Sequence, residues 1–78
     1  MNNAWNQIKW SSKDYQEFVD SMPNFSGEYL FTMKDAITGD KSVVVDTLKV
    51  EAQCFRTSHI PVENYIAWME LPKPYRGE

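Results

Sequence analysis

Residues Glu28-Tyr29-Leu30-Phe31-Thr32-Met33-Lys34 decide the fold class. Tyr29, Phe31 and Met33 point one way and Leu30 and Thr32 the other. A period of two belongs to a strand, and the residues are β-formers throughout. Asp35-Ala36-Ile37-Thr38-Gly39-Asp40 follows, with the Asp and Gly chemistry of a hairpin loop. The Val-rich segment 42–48 then supplies a returning strand, paired antiparallel with 28–34.

Downstream, residues 50–56 alternate again: Val50, Ala52 and Cys54 face one way, Glu51 and Gln53 the other, with Phe55 as a bulky exception. This predicts a third strand. Residues 57–61 connect it to a last element at 65–71, where Ile66 and Trp68 suit a strand. Pro61 with Glu63 nearby would also suit the start of a short helix, and the strand is the preferred reading. Pro72 and Pro74 predict an extended, polyproline-like tail over 72–78.

Upstream, the spacing predicts a helix over about 12–22. Tyr15, Phe18, Val19 and Met22 fall at i, i+3, i+4 and i+7, with Lys13, Gln16, Glu17 and Asp20 on the other face. Ser11 followed by Asp14 approximates a capping box, and Pro23 forbids continuation. The expected fold class is α+β: one N-terminal helix packed on a three- to four-stranded antiparallel sheet, the strands in meander order, in a single domain 1–78.

Composition narrows the function. The chain has 78 residues, and 14% of them are aromatic: three Trp, four Tyr and four Phe. Large rings let a small domain build a core without disulfides. Cys54 is the single cysteine, so no intramolecular disulfide can form and a reducing cytoplasm is the expected setting. The polar start, residues 1–7, does not read as a targeting segment. The longest aliphatic run, Val43-Val44-Val45, is far short of the roughly 20 residues that span a bilayer.

Chemistry-bearing constellations are sparse. Cys54 and His59 form the only pair of a kind used in nucleophilic catalysis; the plainer reading makes Cys54 a small core residue and His59 a loop residue. No enzymatic activity and no cofactor are expected. One Cys and one His cannot fill a structural zinc site, and Asp35, Asp40 and Asp46 lack calcium-loop spacing, reading instead as solvated loop acids. The net charge is −3, and the eight bases are scattered singly among eleven acids, so direct nucleic-acid binding is not expected.

The rings then divide. Tyr15, Phe18, Phe25, Tyr29, Phe31 and Trp68 stand at periodic positions or beside turns, where a core accounts for them. Phe55 and Tyr65 fit either side. Trp5, Trp10 and Tyr75 follow no pattern that places them in a core, and Trp and Tyr are enriched in interface hot spots. These three are the candidate partner-binding residues.

The closing stretch Trp68-Met69-Glu70-Leu71-Pro72-Lys73-Pro74 resembles the end of a short domain family of unknown function found in bacteriophages and prophages. A Trp-containing start (Trp5 or Trp10) and the turn Met22-Pro23-Asn24-Phe25-Ser26-Gly27 before a strand are similar in order. Ala67 and Glu70 stand where the family usually has His and Pro. The resemblance implies a small phage-encoded accessory protein in the bacterial host cytoplasm. Such a protein would be a non-enzymatic binder that inhibits or redirects a host protein or complex, of the anti-defence or anti-CRISPR kind. A monomer or weak homodimer is expected. The alternatives are a self-assembling structural protein and, behind it, a nucleic-acid-associated accessory factor.

Overall fold

The computed structural model describes residues 5–72. Its elements are β1 (Asn6–Gln7), α1 (Tyr15–Asp20), β2 (Gly27–Lys34), β3 (Lys41–Glu51), β4 (Cys54–Thr57) and β5 (Tyr65–Glu70), with a 3₁₀ turn at Val62–Asn64 before β5. β2 and β3 pair antiparallel without a break from Gly27 opposite Leu48 to Lys34 opposite Lys41. Their loop is closed by Asp35, whose Oδ1 accepts the Ile37 and Thr38 N–H groups at 2.7 and 3.0 Å. Those two bonds, Thr38 first, hold the Asp35 carboxyl below its ordinary pKa. Gly39 takes φ +78°, a left-handed conformation that glycine adopts at little cost.

The α+β class holds in its coarse form, but the sheet has five strands and the helix is minor. The strand order is β1-β5-β2-β3-β4, which corrects the expected meander. β5 does not pair with β4; it returns to lie antiparallel beside β2. Strands β2 to β5 thus have the order of a Greek key. β1 adds outside β5 and runs parallel to β2, with β5 between them.

A single buried carboxylate pins the return. Asp46 of β3 is only 1% exposed, on the same side of the sheet as Val44 and Leu48. It accepts the backbone N–H groups of Ser58 (3.0 Å), His59 (3.1 Å) and Ile60 (3.2 Å), and the Tyr65 hydroxyl at 2.5 Å. The segment from β4 to β5 is therefore held against the sheet, and Ile60 and Val62 pack on the core. Asp46 is not the solvated loop acid the sequence suggested. Burial alone would raise its pKa, but the Tyr65 hydroxyl and the Ile60, His59 and Ser58 N–H groups hold it below the usual carboxylate range. Burial, reinforced by the Asp46 charge, pushes the Tyr65 hydroxyl the other way, upward.

Two boundaries moved for local reasons. The helix is Tyr15–Asp20 instead of 12–22, because Asp14 is extended (φ −97°, ψ 111°) and its side chain caps the Gln16 N–H at 3.0 Å. Six residues cannot sustain a helix in water, so α1 depends on its neighbours. Phe18 anchors it, 4.9 Å from the Trp10 ring and edge-on to Phe55 at 5.7 Å. The expected strands 42–48 and 50–56 are instead a long β3 and a four-residue β4, joined by a tight turn at Ala52 (φ +48°) and Gln53 (φ +67°). Two positive φ values in a two-residue hairpin ordinarily call for Asn-Gly, which is why Ala-Gln gave no signal.

The core is one layer deep on one side of the sheet: Ile8, Met22, Phe31, Leu48 and Tyr65 are buried, with Phe31 and Tyr65 stacked at 4.3 Å. Two indole N–H groups tie the covering chain down. Trp10 Nε1 donates to the Tyr65 carbonyl at 2.6 Å, and Trp68 Nε1 to the Ser21 carbonyl at 2.7 Å. The helix and strand signals near Pro61 were both valid: the 3₁₀ turn follows Pro61 directly, and β5 follows the turn.

Candidate functional site

Register assigns every strand residue to one of two faces. Tyr29, Phe31 and Met33 of β2 share the covered face with Val44, Asp46 and Leu48 of β3 and with Trp68 and Tyr65 of β5. The opposite face carries Leu30 and Thr32 of β2, Val43 and Val45 of β3, and Ala67 and Met69 of β5; Leu30 faces Val45 and Met69, and Thr32 faces Val43 and Ala67. On this second face Val43 is 58% and Val45 49% exposed, while Leu30, Thr32, Ala67 and Met69 are half-buried, and none of the six belongs to the core cluster. A strand apolar on both faces, as Val43-Val44-Val45 is, ordinarily belongs to a sheet covered on both faces. Here one cover is present.

Both ends of this open face are charged, and the end at Lys49 and Arg56 also carries Glu28 and Glu51. Lys34 stands directly opposite Lys41, and Lys49 directly opposite Arg56. Like charges directly opposed in a sheet are unfavourable. None of the four has a carboxylate within ion-pair distance among the described residues, where the one ion pair is Lys9 with Glu17 at 4.0 Å. In sequence these bases are isolated; pleating and pairing bring them together. The signals that could have found the face were the all-apolar run at 43–45 and the even-numbered residues of β2.

The sequence-predicted residues are not gathered into one patch. Trp10 is 40% exposed and belongs to the covered side, its ring on Phe18. With Ser12, Lys13, Tyr15 and Phe18 it lines a shallow cleft of about 310 Å³. Trp5 is 38% exposed and precedes β1, whose alternation sets Ile8 in the core and Gln7, opposite Ala67, on the open face. Tyr75 lies outside the described residues. Of the rings assigned to a core, Tyr15 and Phe25 are exposed, because α1 is too short to press Tyr15 onto the sheet and Phe25 sits in the connector before β2. Tyr15 still makes a contact, donating its hydroxyl to the Gln53 carbonyl at 2.8 Å. Tyr65 is fully buried and Phe55 half-buried against the core.

Cys54 is exposed, contrary to expectation, because the tight turn places it at the start of edge strand β4 on the open face, opposite Glu51. His59 lies beyond the other end of β4, its N–H committed to Asp46. The two side chains share no hydrogen bond among the described residues. No three His, Cys, Asp or Glu side chains cluster there to hold a metal ion. No helix among the described residues is long and apolar enough to cross a membrane. The sheet edges are short, with two residues in β1 and four in β4, and so are poor templates for strand addition. No family model, curated protein or solved structure matches the chain.

Proposed function

We propose that this chain is a non-enzymatic protein-binding module that acts by covering part of a partner's surface. The open apolar face of the sheet carries the reading: a strand apolar on both sides is covered on one side only. Trp5 adds a large half-exposed ring next to β1. The resemblance of the closing Trp-Met-x-Leu-Pro-x-Pro stretch to a phage domain family supplies the setting. On that reading the partner is a bacterial host protein or complex in the cytoplasm, the effect is inhibition or redirection, and neither cofactor nor membrane takes part.

The test is capture and co-elution. The immobilised chain is expected to retain a bacterial protein in stoichiometric amount, identified by mass spectrometry, and the pair to co-elute on size exclusion. Val45→Asp is expected to abolish retention while leaving the circular dichroism spectrum unchanged. Retention that survives Val45→Asp but is lost in Trp10→Ala would move the site to the cleft beside α1. If neither change matters, the open face is not the site.

A further inference from the structure

We infer that two copies of this chain pair edge to edge through the bare outer margin of β3, antiparallel about a two-fold axis at Val43. β1 and β4 are too short to template a strand, but β4 is also too short to cover β3. It pairs only with Leu48–Glu51, and the Ser58 N–H adds one more bond, to the Thr47 carbonyl. That bond shows that odd-numbered residues of β3 turn their backbone groups away from β2. Even-numbered positions turn toward it. The carbonyl of Asp40, just before β3, accepts the Asp35 N–H at 2.8 Å, and Val50 donates its N–H to the Ser26 hydroxyl at 2.8 Å. The β2–β3 pairing between these points has no bulge, so the alternation holds throughout. Lys41, Val43 and Val45 thus aim three N–H and three C=O groups outward, and none of these has a partner among the described residues.

A row of alternating donors and acceptors is matched by another extended strand. Sheets blunt such an edge with Pro, a bulge or charge; residues 41–45, Lys-Ser-Val-Val-Val, have Lys41 alone. A second copy fits because its own bare edge has the same length and the same stops, the hairpin loop at one end and Thr47 at the other. With the axis at Val43, the two Val43 residues exchange both bonds and Lys41 exchanges both with the second copy's Val45, so every outward group is satisfied. Other registers fail. An axis at Val44 sets Lys41 opposite Thr47, whose N–H is held by the Asp46 Oδ1 at 2.7 Å and whose carbonyl is held by Ser58. An axis at Ser42 sets Val45 opposite Gly39, whose N–H is spent on the Asp35 carbonyl at 2.9 Å. At Val43 no charge faces a charge across the seam, and the two exposed Val43 side chains meet. This pairing goes beyond the binding-module reading and does not depend on it.

Sedimentation equilibrium of the full chain over a wide concentration range is expected to show reversible monomer–dimer association. The Val43 and Val45 amides are expected to gain hydrogen-exchange protection as concentration rises. Val43→Pro removes an outward N–H that β2 does not use, at a place where an edge strand tolerates proline. It is expected to stay monomeric with the wild-type circular dichroism spectrum. Val43→Lys and Val43→Glu each set like charges across the axis and are expected to weaken the dimer about tenfold. Mixed in equal amounts, these two are expected to associate again as a heterodimer. That rescue reads the register, because only an axis at Val43 brings residue 43 opposite itself, and it needs no proline. A wild type that remains monomeric, a dimer that survives in folded Val43→Pro, or a Lys/Glu mixture that remains monomeric would each overturn the proposal. If the chain is monomeric and a lysate protein held by the wild type is released by Val43→Pro, the edge takes a partner's strand; the second-copy proposal then falls and the binding-module reading stands. A dimer that retains no lysate protein supports the pairing and removes the binding-module reading.

Discussion

The two faces of this sheet are made by alternate residues of the same strands, and they differ in how they are closed. On the covered face Phe31 and Leu48 are sealed beneath the 8–22 segment and the return to β5, both fixed by directed polar contacts: Trp10 to Tyr65, Trp68 to Ser21, and the Asp46 carboxylate to three N–H groups and a hydroxyl. On the open face Leu30, Val43 and Val45 are similarly apolar, yet Leu30 is only half-buried and Val43 and Val45 stay exposed. Hydrophobicity alone therefore does not decide which side of a small sheet becomes the core. The side with polar anchors for a crossing chain does, because a crossing segment must satisfy its own backbone groups as well as cover carbon.

The largest break in that contrast is expected at Asp46. Asp46→Ala removes the acceptor for the His59 and Ile60 N–H groups and the buried Tyr65 hydroxyl, while the Ser58 N–H keeps the Thr47 carbonyl, and should cost about 3–5 kcal/mol. A domain of this size holds only about 4–12 kcal/mol in all, so urea denaturation should find the variant partly or wholly unfolded. The same pin sets the acid limb of stability. The folded pKa of Asp46 is depressed, so its contribution is fully present above the unfolded value near 4 and is lost as pH falls through the lower folded value. Urea midpoints measured down the acid limb should flatten in Asp46→Asn relative to wild type.

Next in size is a matched pair on β3. Leu48→Ala, on the covered face, should cost about 2–5 kcal/mol, and Val45→Ala, on the open face, about 1 kcal/mol or less. Equal costs would mean that the open face is covered in the free protein. Smaller still, Gln53→Gly should stabilise by about 1 kcal/mol, since position 53 holds φ +67° without a glycine. Its Tyr15 contact uses the backbone carbonyl and survives the change. Smallest is Lys34→Glu, expected to gain about 0.2–1 kcal/mol by facing Lys41 with an opposite charge, a gain that salt should erode.

Much of the fold was legible because local chemistry encodes it. The alternation at 28–34, the Asp35–Gly39 loop and the Val-rich return define a hairpin that the structure contains, its return strand running on to Glu51. The turn at Ala52-Gln53 was hidden because its backbone conformation runs against its residue types. β1 was hidden because two residues carry no period. Of the candidate site, Trp5 and Trp10 were visible as rings without a core pattern, but nothing local showed that they do not form one patch.

By itself the sequence determined the β2–β3 hairpin, which of its side chains share a face, and that one cysteine allows no intramolecular disulfide, since these follow from period, turn chemistry and residue counts. Only the tertiary structure decided that β5 returns to β2, that Asp46 is the buried pin of that return, and that four dispersed bases meet as two opposed pairs, Lys34 with Lys41 and Lys49 with Arg56. The reason is that strand pairing joins residues far apart in sequence. A charge or carboxylate acquires its meaning from the neighbour that register sets opposite it, and no window along the chain contains both.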